Sequence, residues 1–72
     1  MEDKILKILK DTFELENVDK TLSQDTCEAW DSMGQLNLVL ELESEFGVSF
    51  EPEEILQMKS FDDILRIVTS KV

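Results

Sequence analysis

Apolar residues in this sequence recur three and four positions apart, in separate blocks, and no segment alternates with period two. That spacing builds one-sided helices and gives a strand no face to bury. Ile5, Leu6, Ile8, Leu9 and Phe13, set among Lys and acid positions, predict a first helix over residues 2–15. Leu38, Leu42 and Phe46 stand at i, i+4 and i+8, and Met33, Leu36, Val39 and Leu40 cover an adjacent surface. A helix apolar over that much of its circumference either sits at the centre of a bundle or presents an exposed patch. Phe61, Ile64, Leu65 and Val68 give a last helix by the i, i+3, i+4, i+7 rule. The 72 residues allow one domain, residues 1–72, and two Gly and one Pro leave little room for β-turns. The fold class is all-α, with a core that supplies only about 3–5 kcal/mol.

The connections follow from the polar residues. Asn17, Asp19, Thr21, Ser23, Asp25 and Thr26 mark an extended loop over residues 16–31, pinned to the core by Val18, Leu22 and Trp30. So long a loop in so small a domain is often functional. The second helix runs from Asp31 or Ser32, either of which can cap it, to Phe46, with Gly47 as its stop. Pro52 suits the first position of a short third helix, with Glu53 and Glu54 favourable in its first turn and Ile55 and Met58 facing inward. Ser60 and Asp63 form a capping box that opens the last helix. The expected architecture is a small four-helix bundle of three main helices and a short third one.

Charge excludes several functions. Seventeen acids against seven bases give a net charge of −10, which suits neither nucleic acid nor an anionic membrane. No Lys or Arg lies between Lys20 and Lys59. There is no His, so a self-contained hydrolase lacks its commonest base, and Cys27 has no His to activate it. A lone Cys27 makes no internal disulfide and reads as an inert loop residue. The acids lack the spacing of a calcium loop, and no metal site is expected. The charged start Met1-Glu2-Asp3-Lys4 has no signal-peptide core, so a reducing, cytoplasmic setting is the default. In the second helix Glu41 and Glu45 repel at i, i+4 by about 0.2–0.5 kcal/mol. Glu43 and Glu45 also sit at the dipole's negative end with no base to offset them. A sequence shaped for stability alone would avoid this, which favours a docking face for basic partners.

At Trp30-Asp31-Ser32-Met33 a serine stands where a loop enters a helix. Its hydroxyl lies at the helix's positive end, where free N–H groups stabilise an anion such as a phosphodiester. The chain offers no base to act on it, so a modification there would have to come from another enzyme; without one, Asp31 and Ser32 are simply helix caps.

Asp31-Ser32-Met33 opens the helix, and Leu38-Val39-Leu40-Glu41-Leu42-Glu43, Glu45-Phe46-Gly47-Val48, Glu51-Pro52-Glu53-Glu54-Ile55 and Met58-Lys59-Ser60-Phe61 follow. Together they resemble the acyl carrier protein family along nearly the whole chain. The resemblance implies a single carrier domain, monomeric and not an enzyme. It would bear acyl groups as thioesters on 4′-phosphopantetheine, transferred from coenzyme A to Ser32 by a separate, magnesium-dependent phosphopantetheinyl transferase. It implies docking of that transferase and of acyl-processing or acyl-activating enzymes, through their basic patches, on Asp31, Met33, Leu36, Glu41, Glu43 and Glu45. It implies an acyl pocket between the second and third helices, with Val39, Leu40, Met58 and Phe61 as candidate lining. Fatty-acid, polyketide or specialised acyl-transfer biosynthesis would use such a carrier. Trp30, Met33, Gly34 and Asn37 depart from the commonest fatty-acid pattern and lean toward stand-alone specialised carriers. A D-alanyl or aminoacyl (peptidyl-type) carrier is the alternative, and an unmodified acidic helical interaction module is a further one.

Overall fold

The computed structural model describes residues 1–72. Four helices follow one another: α1 (Glu2–Phe13), α2 (Ser32–Phe46), α3 (Pro52–Gln57) and α4 (Phe61–Lys71). Each is too short to be stable alone, so the helices close on one another through their apolar faces. Ile5, Leu9, Leu38, Leu42, Met58, Phe61, Ile64 and Val68 are fully buried at 0% exposure, and they form one core cluster with Trp30 and Cys27 among others. The two serines Ser23 and Ser60 make an isolated bridge, and the chain has no sheet. No helix is long and apolar enough to cross a membrane.

The first helix is shorter than the expected 2–15. Glu14 turns left-handed at φ 53°, and its N–H and that of Leu15 both bond to the Lys10 carbonyl. A non-glycine residue there costs on the order of 1 kcal/mol. The turn brings Leu15 back against the core. The other helices begin and end close to where the periodicity put them. Gly47 ends α2 at φ 65°, a conformation that favours glycine.

The long loop, residues 14–31, is fastened at several points. Val18 and Leu22 pack on the core, and Trp30 and Cys27 enter it. The Gln24 N–H donates to the Lys59 carbonyl at 2.9 Å, and the Phe61 N–H to the Leu22 carbonyl at 2.9 Å, tying the loop to the start of α4. Ser60 caps α4 by accepting the Asp63 N–H at 3.2 Å. The reciprocal half of the expected capping box is diverted: Asp63 Oδ2 accepts the Lys59 N–H instead.

A second tie joins α3 to the end of α4. Glu54 Oε1 accepts the Glu51 N–H at 2.7 Å and lies 2.9 Å from Lys71 Nζ. The Glu51 N–H first, and Lys71 with it, hold the Glu54 carboxyl below its ordinary value of 4.5. A lowered carboxyl stabilises the fold above its unfolded pKa and loses that effect as pH falls through the folded one. Glu54→Gln should therefore melt below the wild type at pH 7, and the gap should close as pH drops below about 4.5. Thermal melts at stepped pH check this, and a gap that persists at low pH would remove the carboxylate as its cause.

Candidate functional site

The start of α2 divides two tasks that the sequence leaves undivided between Asp31 and Ser32. Asp31 is extended (φ −100°, ψ −166°), and its Oδ1 accepts the Gly34 N–H at 2.8 Å. Asp31 is therefore the cap, and Ser32 is the first helical residue. Ser32 is exposed, and its hydroxyl is drawn into no hydrogen bond within the chain. The Gly34 and Gln35 N–H groups are taken by the Asp31 side chain and carbonyl, which leaves those of Ser32 and Met33 free. The first turn of α2 holds no acid. The positive end of the helix is thus open to an anion on Ser32.

The backbone reaching Ser32 is held rigidly. Trp30 is 3% exposed and stacks on Phe13, with ring centroids 5.5 Å apart and planes inclined by 29°. Its indole N–H donates to Gln35 Oε1, and Gln35 Nε2 donates to the Ile55 carbonyl at 2.8 Å. Gly34 lets the incoming loop cross α2 at close range. A Cβ there would meet the Ala29 carbonyl oxygen at 2.2 Å and Phe13 Cε1 at 2.9 Å. Gln35 carries no periodic signal, and its partners lie five residues on one side and twenty on the other, so sequence reasoning misses it.

Ser32 opens onto a shallow cleft of about 470 Å³, lined also by Gln24, Trp30, Gln35, Leu56 and Lys59. Leu56 is 75% exposed, and Lys59 has no ion pair. An exposed hydroxyl, free N–H groups and an open cleft that holds the Lys59 cation as well as the capping Asp31 fit a group attached through a phosphodiester.

The proposed docking residues separate into two kinds. Asp31, Met33, Leu36, Glu41 and Glu45 are exposed, Met33 at 68% and Leu36 at 55%. Of the two ways to use so apolar a helix, α2 adopts both, burying Leu38, Val39 and Leu42 and presenting Met33, Leu36 and Leu40. Glu43 is half-buried, and its Oε2 accepts the Phe50 N–H at 2.9 Å, so it holds the loop that follows α2. The acyl-pocket candidates also divide. Val39, Met58 and Phe61 are packed in the core, whereas Leu40 is 63% exposed. Leu40 lines a separate groove of about 580 Å³ between α1 and α2, with Lys7, Asp11, Glu41 and Glu45. It points away from the other three because a residue next in sequence on a helix is turned about 100° around the axis.

The phosphopantetheine attachment site family model matches residues 3–68. The chain is 36% identical to an acyl carrier protein homologue of Mycoplasma genitalium over 64 residues, covering 86% of this chain and 76% of that protein. It is 30% identical to the acyl carrier protein of Petrotoga mobilis over 73 residues, covering 97% of this chain and 85% of that protein. The crystal structure of an acyl carrier protein from Thermotoga maritima superposes with a TM-score of 0.77 at 30% identity, covering 96% of this chain and 82% of that one. With so nearly complete a match in sequence and in fold, the chain belongs to the acyl carrier protein family, whose members bear acyl groups on a covalently attached 4′-phosphopantetheine and are carriers rather than enzymes.

Proposed function

We propose that Ser32 is the attachment residue and that the exposed strip of α2 beside it is where partner enzymes dock. The observation that carries this reading is an exposed, unbonded hydroxyl on the first residue of α2, with Asp31 and not Ser32 serving as the cap. The Ser32 oxygen forms the new bond to phosphorus as the pyrophosphate linkage of coenzyme A breaks and adenosine 3′,5′-bisphosphate departs as the leaving group. Its proton goes to a base on the transferase, since this chain has no His and the Asp31 carboxylate is engaged by Gly34. The free N–H groups of Ser32 and Met33 then face the phosphodiester. When bound, the arm supplies a terminal thiol that holds the acyl group as a thioester. Tethering raises the acyl group's effective concentration at each partner's active site.

The family works with a phosphopantetheinyl transferase and acyl-processing enzymes. On this chain the exposed Glu41 and Glu45, with Asp31, suit basic patches on those partners, and Met33 and Leu36 suit the apolar centre of such a contact. A stand-alone carrier for specialised acyl transfer is the pathway reading supported by Trp30, Met33, Gly34 and Asn37.

Incubation with coenzyme A, magnesium and a broad-specificity transferase should add one phosphopantetheine, mapped to Ser32 by peptide mass. A folded chain that gains none, or gains it elsewhere, overturns the assignment. Reversal of charge in a Glu41→Lys/Glu45→Lys double variant should slow modification by about tenfold at low salt. The difference should fade as ionic strength rises and the screening length drops from about 10 Å at 0.1 M to about 3 Å at 1 M. Equal rates at low salt would reduce these acids to a solvated surface.

A further inference from the structure

The three methionines occupy three different settings. Met58 is 0% exposed in the core. Met1 stands at the end of the chain, 47% exposed, where its sulfur accepts the Thr69 hydroxyl at 3.4 Å. Met33 is 68% exposed and follows Ser32 directly on α2. With the exposed Leu36 and Leu40 it forms a strip at i, i+3 and i+7 along one side of the helix. Met33 is the member of that strip nearest Ser32, and it is the one that carries a sulfur. The other oxidisable side chains near Ser32, Cys27 and Trp30, are both buried.

We propose that Met33 is a reversible oxidation site that switches partner docking on α2. The proposal rests on the reading that partners dock on the strip beside Ser32. The oxidant is a hydroperoxide. The Met33 sulfur takes one peroxide oxygen: an S–O bond forms, the O–O bond breaks, and the sulfur gives up two electrons. The proton on the transferred oxygen passes to the departing one, which leaves as water or an alcohol. Exposure of the sulfur permits this at Met33, and burial prevents it at Met58. The product is a polar sulfoxide in place of a flexible apolar thioether. In the free chain water solvates it, and Met33 is no part of the core cluster, so the fold is spared. In a docked complex the sulfoxide oxygen must give up that water within the apolar centre of the contact, which is unfavourable without a new hydrogen bond. The change therefore acts on association. A methionine sulfoxide reductase reverses it, with two electrons from a dithiol and the oxygen leaving as water.

The test treats the full chain with hydrogen peroxide, which catalase removes before the transferase and coenzyme A are added. Peptide mass should show one oxygen on Met33 well before any on Met58. The oxidised chain should keep its Tm and take phosphopantetheine about tenfold more slowly at low carrier concentration. Sulfoxide reductases of both epimer specificities, with a dithiol, should restore the rate. Met33→Leu keeps Met1, Met58 and Cys27, so peroxide should leave its rate equal to that of its own untreated form. A chain oxidised at Met33 and modified at the untreated rate would overturn the switch and leave attachment intact. Equal slowing of Met33→Leu by peroxide would overturn it too, since the effect would then lie at another residue. A fall in Tm on oxidation, or Met58 oxidised as fast as Met33, would likewise overturn it. An untreated, folded chain that gains no phosphopantetheine overturns the attachment reading and this proposal with it.

Discussion

Ser32→Ala is expected to fold as stably as the wild type and to accept no phosphopantetheine. The first half follows from the division of labour at the start of α2. The cap bond to the Gly34 N–H comes from Asp31, so removing the Ser32 hydroxyl breaks no contact within the chain. Alanine is the best helix former, and an exposed substitution of this kind changes stability by no more than about 0.5 kcal/mol. By contrast Asp31→Ala removes the cap and costs about 1 kcal/mol. The second half follows because the transferred group needs an oxygen at that position. Matched thermal melts with intact-mass analysis of the variant separate the two halves. A variant that still gains one phosphopantetheine would move the site to another hydroxyl, and a large fall in Tm would give Ser32 a structural role that its hydrogen bonding does not support.

Gly34→Ala should have the largest effect on folding. The added Cβ would stand 2.2 Å from the Ala29 carbonyl oxygen and 2.9 Å from Phe13 Cε1. The first of these is backbone, and it cannot rotate away as the end of a side chain could. Nor is the segment free to retreat: the next residue, Trp30, is stacked on Phe13 and bonded to Gln35. Overpacking of this kind costs about 1–3 kcal/mol or more. That is a large share of the about 3–5 kcal/mol available to so small a core. The Tm should drop by ~10 °C or more. What survives folded should be modified slowly, because the loop that presents Ser32 has been pushed from its seat. Circular dichroism and the rate of mass gain check both parts. An unchanged Tm would mean that the loop and α2 are not held at this distance.

Helices α1, α2 and α4 were legible because their apolar positions repeat with the helical period, which survives without knowledge of the partners, and α3 was legible through Pro52 and the two acids that follow it. The end of α1 was not, because Glu14 adopts the left-handed turn where glycine is usual and leaves no mark in the sequence. The period could show that α2 is apolar on two surfaces but not which one another element covers. That depends on where α1 and the loop fall, and they leave Met33, Leu36 and Leu40 bare. Short polar pairings were the least legible. Asp63 gives its carboxylate to Lys59 and not to Ser60, and Glu43 bonds to Phe50 seven residues away. Each choice is made by backbone geometry outside the local motif. Ser32 was legible as the candidate because Asp-Ser-Met stands at the head of the helix within a pattern that spans the chain. The cleft beside it was not, since Gln24 meets Lys59 only through the tie between the long loop and α4, and Ile55 is held beside them by the Gln35 amide.

The burial of Cys27 bears on the safety of the cargo. A thioester is open to attack by any thiolate in reach, which would take the acyl group in exchange and strand it on the protein. The chain has one thiol of its own, five residues before Ser32, and it is 6% exposed within the core cluster. A thiol so enclosed is kept from the nucleophile's role, since it must be ionised and accessible to react. The loop that delivers Ser32 to the surface thus withdraws the one residue that could compete with the arm for its load.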